Sequence, residues 1–309
     1  MAAPLRPRWS IEGRGWPMAE HSRFVTVRGL SWHVQVIEPE RAGPPVDVLM
    51  LHGLGGAGHS WRGVAPLLAP HARIIVPDLP GHGFTGWPQG PGFALPGQAR
   101  LMAALMGAID ARPVLGIGHS AGAPILARMT LDGLAPIRAI VAFNGAFRPF
   151  PGLAGRVLPG LARALALNPI VPRAMAMGTV MDPLSVERLI VGTGSRIDPA
   201  GLALYRRLIA CPGHVAGALA MMAAWQLEPL MRDLPGLGAD LVLASGTADR
   251  AVPPREAEAV AARVRGARVV ALGGLGHLAH EEAPDRAAAL VIETARRVGI
   301  LPANRARVA

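Results

Sequence analysis

The sequence predicts an α/β fold in which a mostly parallel sheet of eight strands carries helices on both faces. Apolar runs of strand length alternate with runs of helical period over residues 46–143 and again over 241–298, and this alternation is typical of parallel sheets. The chain has 309 residues, 51% of them apolar, which is enough for a full core. Glycine-containing turns follow several of the strand-like runs. These features exclude a disordered chain.

Eight strands are predicted from apolar runs that are bounded by turn residues. They cover residues 24–28, 32–37, 46–51, 72–76, 113–117, 137–143, 241–244 and 267–272. The first two lie on either side of Gly29 and predict an opening hairpin. Helical segments separate most of the others, which predicts parallel pairing.

Core helices are predicted over residues 61–69, 95–109, 121–131, 254–264 and 284–298. Between residues 146 and 214 the strand pattern lapses. Helical pieces follow one another there, over residues 158–167, 183–191 and 199–210. We interpret this stretch as an inserted helical cap. The chain then divides into an N-terminal extension (1–21), a core (22–145 and 215–301), the cap (146–214) and a tail (302–309).

The charge of the chain is strongly basic. All 31 basic residues are arginine and, against 21 acidic residues, they give a net charge of +10. A compositional bias explains why arginine replaces lysine. Eight arginines and only three acidic residues lie between 146 and 214, so half of the net charge belongs to the predicted cap. Nucleic acid, an acidic membrane surface and an acidic small molecule all fit a basic protein.

Cys211 is the only cysteine, which excludes an intramolecular disulfide framework and a zinc site built from several thiolates. A reducing compartment is expected, and residues 1–20 contain no apolar stretch typical of a secretory signal. We therefore expect a cytoplasmic protein. Residues 208–227 carry no charge, but Pro212 and Gly213 interrupt them, which predicts a helix end, a turn and a second buried helix.

The strongest motif is Gly118-His119-Ser120-Ala121-Gly122, which follows a strand-like run and precedes a helical one. This G-x-S-x-G pattern is typical of a nucleophile elbow, in which the serine occupies a sharp turn and small neighbours let strand and helix approach. The alternative is a serine in an ordinary glycine turn. The position between strand and helix favours Ser120 as a nucleophile.

A serine nucleophile needs a histidine to take its proton and an acid to orient that histidine. In this architecture the chain order is serine, acid, histidine. Asp249 and His277 each follow one of the last two strand-like runs, so both are expected at the strand ends that also carry Ser120. Asp240 precedes its strand and is expected at the opposite end.

His280 and Glu281 lie close to His277 in the sequence, and the three could be imagined as metal ligands. Since spacing places no further ligand, we expect no metal. His280 is interpreted instead as a polar residue at the N-terminus of the last helix.

The oxyanion formed in acyl transfer needs two N–H donors. Ala121, directly after the candidate nucleophile, is expected to supply one, and Leu54 in a glycine-rich loop the other. Four further residues are expected to line or support the pocket: His52, Gly53, His82 and His119.

The same glycine-rich loop matches a dinucleotide-binding fingerprint. Gly53, Gly55 and Gly58 have its spacing, and Asp78 follows 20 residues after the last of them. Pro77 separates this aspartate from its strand, and bulky residues stand where the phosphate-facing helix should start. We therefore favour an oxyanion loop and expect no cofactor.

Together the motifs resemble the α/β-hydrolase superfamily over nearly the whole chain. The landmarks are His52-Gly53, the turn at 78–83, Ser120, Asp249 and His277. The resemblance implies that Ser120 is the nucleophile, His277 the base and Asp249 the orienting acid. Serine at the elbow argues against the related dehalogenases and epoxide hydrolases, whose nucleophile is a carboxylate.

A narrower resemblance is to the BchO family, α/β-hydrolase-like accessory proteins associated with magnesium chelatase in bacteriochlorophyll synthesis. The similar segments are residues 22–25, 32–35, 59–62, 80–85, 118–123 and 144–152. The resemblance implies a place in bacteriochlorophyll biosynthesis and an association with magnesium chelatase.

Two classes of function follow. The first is a serine hydrolase that cleaves an ester through an acyl-enzyme, and a general carboxylesterase or a cofactor-free haloperoxidase-like enzyme would share its residues. The second is a non-catalytic accessory protein that binds a tetrapyrrole. Met175, Met177 and Met181 could adapt to a large flat ring, although we favour them as cap core. The charge of the cap predicts porphyrin carboxylates or an acidic membrane surface as partner, rather than nucleic acid.

Overall fold

The structure is a computed structural model, and it describes residues 6–39, 46–149, 160, 164–165, 168 and 170–303. Eight strands form one sheet in the order β1-β2-β4-β3-β5-β6-β7-β8. They are β1 (Ser22–Val27), β2 (Leu30–Ile37), β3 (Asp47–Leu51), β4 (Arg73–Pro77), β5 (Leu115–His119), β6 (Ala139–Phe143), β7 (Asp240–Gly246) and β8 (Arg268–Leu272). β2 pairs antiparallel with β1 and β4, and every other pair is parallel. The predicted fold class is confirmed.

The central strands are buried on both faces. Within β3, Leu49 and Leu51 pack into the core on one side of the sheet, while Val48 and Met50 pack into the core on the other. Successive residues of a strand point to opposite faces, so both faces need apolar side chains. This is why these strands read as continuous apolar runs in the sequence.

The helices cover both faces of the sheet and the segment between β6 and β7. They are α1 (Trp9–Glu12), α2 (Ala65–Leu68), α3 (Leu95–Ala108), α4 (Gly122–Leu131), α5 (Ile170–Met181), α6 (Ser185–Gly192), α7 (Pro199–Ile209), α8 (Pro212–Ala224), α9 (Glu228–Asp233), α10 (Arg255–Ala261), α11 (Ala279–Glu282) and α12 (Pro284–Arg297). α3 and α4 contribute to the core on one face, and α2 and α12 to the core on the other.

The helix predicted over residues 61–69 is wrong in its first half. A 3₁₀ turn covers Gly58–Trp61, and only the single turn of α2 is α-helical. Pro66 lies in the first turn of α2, where proline starts a helix readily but cannot continue one from the preceding residues. Gly63 separates the two pieces, and a Cβ there would lie 2.8 Å from Pro284.

Within the described residues, five helices, α5 to α9, lie between β6 and β7. The predicted pieces 183–191 and 199–210 correspond to α6 and α7, and the piece 158–167 lies largely outside the described residues. α7 and α8 meet at a bend of 85° near Cys211, as the interruption by Pro212 predicts. No single helix in the described ranges is long and apolar enough to cross a membrane, and this bent pair meets the criterion by length and composition alone. The boundaries of the cap stay a prediction.

α5 does not bury its methionines. Met175, Met177 and Met181 are 47%, 59% and 79% exposed, and the buried side chains of the helix are Pro172 and Ala176. The expectation that these methionines form cap core is therefore wrong. The apolar composition of the helix gave no sign of which face is packed.

Asp78 is a fully buried carboxylate that ties three parts of the core together. Its Oδ1 accepts the N–H of Gly58 at 2.7 Å, and its Oδ2 accepts hydrogen bonds from His33 Nδ1 at 2.8 Å and the N–H of Phe84 at 2.9 Å. Burial alone would raise the pKa of Asp78, but His33 and the amide donors outweigh it and hold the pKa well below its usual range. The carboxylate is charged in the folded protein.

We expect Asp78→Asn to lower the free energy of unfolding by about 3 kcal/mol, because the amide nitrogen that replaces one carboxylate oxygen cannot accept a hydrogen bond and leaves buried donors without partners. Denaturation in urea measures the change. Asp182→Asn, at an exposed pair with Arg188, is the control and should change the value by less than about 0.5 kcal/mol. Because the pKa of Asp78 is depressed, its contribution is present above the unfolded pKa of about 3.9 and is lost as the pH falls below it. Equal free energies of unfolding for Asp78→Asn and Asp182→Asn would contradict this role of Asp78.

Candidate functional site

Ser120 occupies the sharp turn between β5 and α4, with φ at 47°. Only about 8% of the residue is exposed. Its N–H donates to the Phe143 carbonyl at 3.0 Å, and its own carbonyl accepts the N–H of Ala146 at 3.1 Å. A left-handed conformation is costly for a residue with a side chain and persists only where its surroundings impose it. At Ser120, the hydrogen bonds with Phe143 at the end of β6 and with Ala146 beyond it impose the left-handed conformation.

The two glycines of the elbow motif lie where no side chain fits. A Cβ on Gly118 would be 2.5 Å from the backbone of Ala123, and one on Gly122 would be 2.3 Å from the Leu51 carbonyl oxygen. β3, β5 and α4 therefore meet at backbone contact. This close approach explains the G-x-S-x-G spacing.

Asp249 and His277 are brought together from two loops, after β7 and after β8. His277 Nδ1 lies 2.9 Å from Asp249 Oδ2. The other oxygen of Asp249 accepts the N–H groups of Ala251 and Val252 at 2.7 and 2.9 Å. A carboxylate can only accept, so Nδ1 of His277 is the donor and Nε2 is left as an acceptor. The ring thus has the tautomer that a general base requires.

Asn144 also contacts the pair of Asp249 and His277. The sequence did not identify it as a functional residue. It directly follows β6, with φ at 50°. Its side-chain amide donates to Asp249 Oδ2 at 2.6 Å and to the Gly276 carbonyl at 3.3 Å. The only sequence signal is a polar residue directly after a buried strand, at the sheet edge that carries the other site residues.

The glycine-rich loop after β3 lies against the elbow. A Cβ on Gly53 would be 2.9 Å from Ser120 Cβ and 2.7 Å from a ring nitrogen of His119. Leu54 and Ala121 line the same cavity as Ser120. Within the described ranges, neither the N–H of Leu54 nor that of Ala121 donates a hydrogen bond, and the hydroxyl of Ser120 makes none.

Three further predicted residues lie behind the cavity. His52 donates from Nδ1 to the Gly53 carbonyl and accepts the Leu79 N–H at Nε2, both at 2.8 Å, which fixes the loop. His119 Nε2 lies 3.0 Å from the His277 carbonyl. The ring of His82 lies 5.5 Å from that of His52. Burial lowers the pKa of all three histidines, which are therefore neutral near pH 7.

The positions of His280 and Asp240 do not support the alternative roles considered for them, as a metal ligand and as the acid. His280 is buried between the rings of Trp61 and His119, and burial lowers its pKa to about 3. In the parts of the chain that are described, no group of three or more His, Cys, Asp or Glu side chains could hold a metal ion. Asp240 pairs with Arg297 at the other end of β7.

Asp78 is not available to a nucleotide. Its carboxylate is fully buried and accepts hydrogen bonds from Gly58, His33 and Phe84. Gly58 is the last glycine of the fingerprint, so the two landmarks of a dinucleotide site bind each other instead of a ribose and a phosphate.

Ser120 and His277 open on one cavity of about 660 Å³. Its walls are mainly apolar, and its charged residues lie in the loop after β6 and in the segments around β7. The lining residues are Leu54, Ser120, Ala121, Ala146, Arg148, Pro149, Leu189, Thr193, Met221, Met222, Trp225, Leu227, Glu228, Arg250, Ala251, Val252, Pro253, Arg255, Glu256 and His277. The cavity is large enough for a drug-sized apolar ligand.

Among the described residues, most arginines of the predicted cap do not line this cavity. Arg188 pairs with Asp182, and Arg206 lies 3.7 Å from Glu187. Arg207 donates to the carbonyls of residues 12 and 14. Of the cap arginines that the structure describes, Arg148 lines the cavity, together with Arg250 and Arg255 from the core. Glu228 and Glu256 line it as well. Among the described residues, the arginines at the cavity thus come mainly from outside the predicted cap.

A model of the alpha/beta hydrolase family matches residues 48–290. The chain belongs to this family. The magnesium-chelatase 30 kDa subunit of Rhodobacter capsulatus is 38% identical over 279 residues, which are 90% of this chain and 95% of that protein. The 2-hydroxy-6-oxo-2,4-heptadienoate hydrolase of Pseudomonas putida is 28% identical over 176 residues, 56% of this chain and 59% of its own length. The resemblance identified from the motifs is confirmed.

Solved structures show the same alpha/beta hydrolase fold at low identity. The enol-lactonase from Burkholderia xenovorans LB400 has a TM-score of 0.70 at 22% identity, covering 88% of this chain and 98% of that one. The esterase from Thermogutta terrifontis has a TM-score of 0.69 at 22% identity, covering 90% and 98%. These similarities concern the fold alone.

For this alpha/beta hydrolase we expect Gly122→Ala to lower the free energy of unfolding by about 2–3 kcal/mol, because the new methyl group overlaps the Leu51 carbonyl. Gly107→Ala in α3 is the matched control. No atom lies within 4 Å of its added Cβ, so alanine should raise the free energy of unfolding by about 0.5 kcal/mol. Urea denaturation compares the two. Equal effects would show that the elbow does not need a glycine here.

Proposed function

We propose that the protein is a serine hydrolase that cleaves an ester through an acyl-enzyme on Ser120. The observation that carries this proposal is the hydrogen bond between His277 Nδ1 and Asp249 Oδ2, which lie 2.9 Å apart. His277 lines the same cavity as Ser120, whose φ is 47°. A strained serine that shares a cavity with an oriented imidazole fits the arrangement that nucleophilic catalysis requires.

In the first step Ser120 Oγ attacks the ester carbonyl carbon, and His277 Nε2 takes the hydroxyl proton. The carbonyl oxygen becomes an oxyanion, which the N–H groups of Leu54 and Ala121 stabilise. When the C–O bond of the ester breaks, the imidazolium returns the proton to the leaving alcohol. Water then attacks the carbonyl carbon of the acyl-enzyme while His277 takes one of its protons. The bond to Ser120 Oγ breaks, the imidazolium returns the proton to Oγ, and the acid is released.

Asp249 acts through His277. It holds Nδ1 as a donor and stabilises the imidazolium. Asn144 and the N–H groups of Ala251 and Val252 keep this carboxylate in place. Four hydrogen bonds to one carboxylate, counting that from His277, make its position independent of bound substrate.

The cavity supports an apolar substrate that also carries an anionic group. Met221, Met222 and Trp225 contribute apolar wall. Arg250 lines the cavity with no acidic partner among the described residues, whereas Arg148 pairs with Glu256 at 2.9 Å. A porphyrin or chlorophyll-pathway ester with free carboxylates has this combination. The similarity to a magnesium-chelatase subunit supports action beside magnesium chelatase in bacteriochlorophyll biosynthesis. The exposed methionines of α5 favour peripheral contact with a membrane, and the net charge of +10 favours anionic lipids.

A second candidate is a non-catalytic accessory protein that binds a tetrapyrrole for the chelatase. Two observations favour it: the 38% identity to a protein named as a chelatase subunit, and the absence of a hydrogen bond from Ser120 Oγ within the described ranges. The cavity volume suits either candidate.

Labelling with a fluorophosphonate tests the hydrolase directly, because the reagent forms a P–O bond to an activated serine and releases fluoride. We expect the wild type to be labelled and Ser120→Ala to remain unlabelled. Ser185→Ala, whose hydroxyl donates to the Asp182 carbonyl, should be labelled like the wild type. Equal labelling of the Ser120 variant, or none of the wild type, would contradict the proposal.

Pigment synthesis in cells that carry Ser120→Ala separates the two candidates. Catalysis requires the hydroxyl, so the hydrolase predicts loss of bacteriochlorophyll at normal protein level, while the variant still binds porphyrin in vitro. Retained pigment would favour the accessory protein.

A further inference from the structure

The chain between α6 and α7 lies against the loop that carries Asp249. We refer to Thr193, Gly194 and Ser195 as the 193–195 turn. The carbonyl of Thr193 accepts the N–H of Arg250 at 3.0 Å. Because Arg250 directly follows Asp249, this bond fixes the backbone next to the candidate acid.

The same turn holds the loop of His277. The hydroxyl of Ser195 accepts the N–H of Leu278 at 2.7 Å, and the serine is fully buried. Leu278 directly follows His277. One three-residue turn thus contacts the backbone immediately after the acid and immediately after the base.

The fit between the turn and the two loops is close enough to exclude a side chain. A Cβ on Gly194, whose φ is +88°, would lie 2.0 Å from the Ala248 carbonyl oxygen. A Cβ on Gly276 would lie 2.3 Å from the carbonyl of Gly194. The turn is therefore wedged between the residue before Asp249 and the residue before His277, in backbone contact with both.

A carboxylate bridges the chain after the turn to the base loop. Glu282 accepts the N–H of Gly276 with Oε1 at 2.8 Å and the N–H of Arg196 with Oε2 at 3.2 Å. The turn and the base loop are therefore joined through α11 as well as directly.

The turn has a second anchor on its far side. Arg62 donates to Asp198 at 3.1 Å and also to Glu281, and the hydroxyl of Tyr205 donates to Glu281 at 2.7 Å. These groups fix the start of α7 on the core, so the turn cannot move away without breaking them.

We propose that the 193–195 turn positions Asp249 against His277, with Gly194 and Ser195 as positioning residues of the candidate hydrolase. The two loops follow separate strands, so the hydrogen bond between Asp249 and His277 forms only when both loops are held in the right relative position. The 193–195 turn, which belongs to the segment between β6 and β7, holds them in that position. This inference rests on the proposed hydrolase function.

The test compares Gly194→Ala and Ser195→Ala with matched controls in the same segment. Gly192→Ala adds a Cβ with no atom within 4 Å, and Ser185→Ala removes a hydroxyl that does not contact either loop. The readouts are kcat and KM for p-nitrophenyl acetate, with active sites counted by fluorophosphonate end-point labelling.

We expect kcat per labelled site to fall more than tenfold in Gly194→Ala and about fivefold in Ser195→Ala, where one hydrogen bond is lost. KM should stay within about twofold, since neither residue is expected to touch the ester. Both controls should match the wild type. Misfolding alone would lower the number of labelled sites but not kcat per site, so the count separates positioning from stability.

Unchanged kcat per labelled site in Ser195→Ala and in the labelled fraction of Gly194→Ala would overturn the inference and leave the hydrolase intact. A wild type that is not labelled at all would instead overturn the proposed function, and the positioning role with it.

Discussion

Backbone contact between β3, β5 and α4 is the constraint on which the candidate site depends. The Leu51 carbonyl lies so close to Gly122 that no side chain fits between them, and the hydrogen bonds of Ser120 with Phe143 and Ala146 hold the chain beside it in a left-handed turn with φ at 47°. The turn brings the serine to the carboxyl edge of the sheet. Ala121 and the loop of Gly53 lie beside it, so the candidate nucleophile and its two expected N–H donors meet at one point of close packing.

The candidate acid and base depend on longer-range contacts. Asp249 is held by Asn144 from the end of β6 and by its own loop, and His277 is held by Asp249. The segment inserted between β6 and β7 reaches both loops through Ser195 and its neighbours. Leu189 and Thr193 of this segment also line the cavity. The segment therefore contacts both the cavity and the loops of Asp249 and His277.

Much of this arrangement could be predicted because it is local in the sequence. Ser120 is flanked by its glycines, and Asp249 and His277 each follow an apolar strand, so their shared edge of the sheet is a matter of chain order. Asn144 and Ser195 could not be found this way. Their partners lie 105 and 83 residues away, and no spacing rule relates them. The exposed methionines of α5 were mispredicted because an apolar helix does not reveal which face is packed.

The most direct measurement of the central claim is a crystal structure of the wild type after reaction with a fluorophosphonate. The account predicts phosphorus bonded to Ser120 Oγ, with the phosphonyl oxygen about 3 Å from the amide nitrogens of Leu54 and Ala121. An adduct on another residue, or a phosphonyl oxygen turned away from both amides, would contradict it.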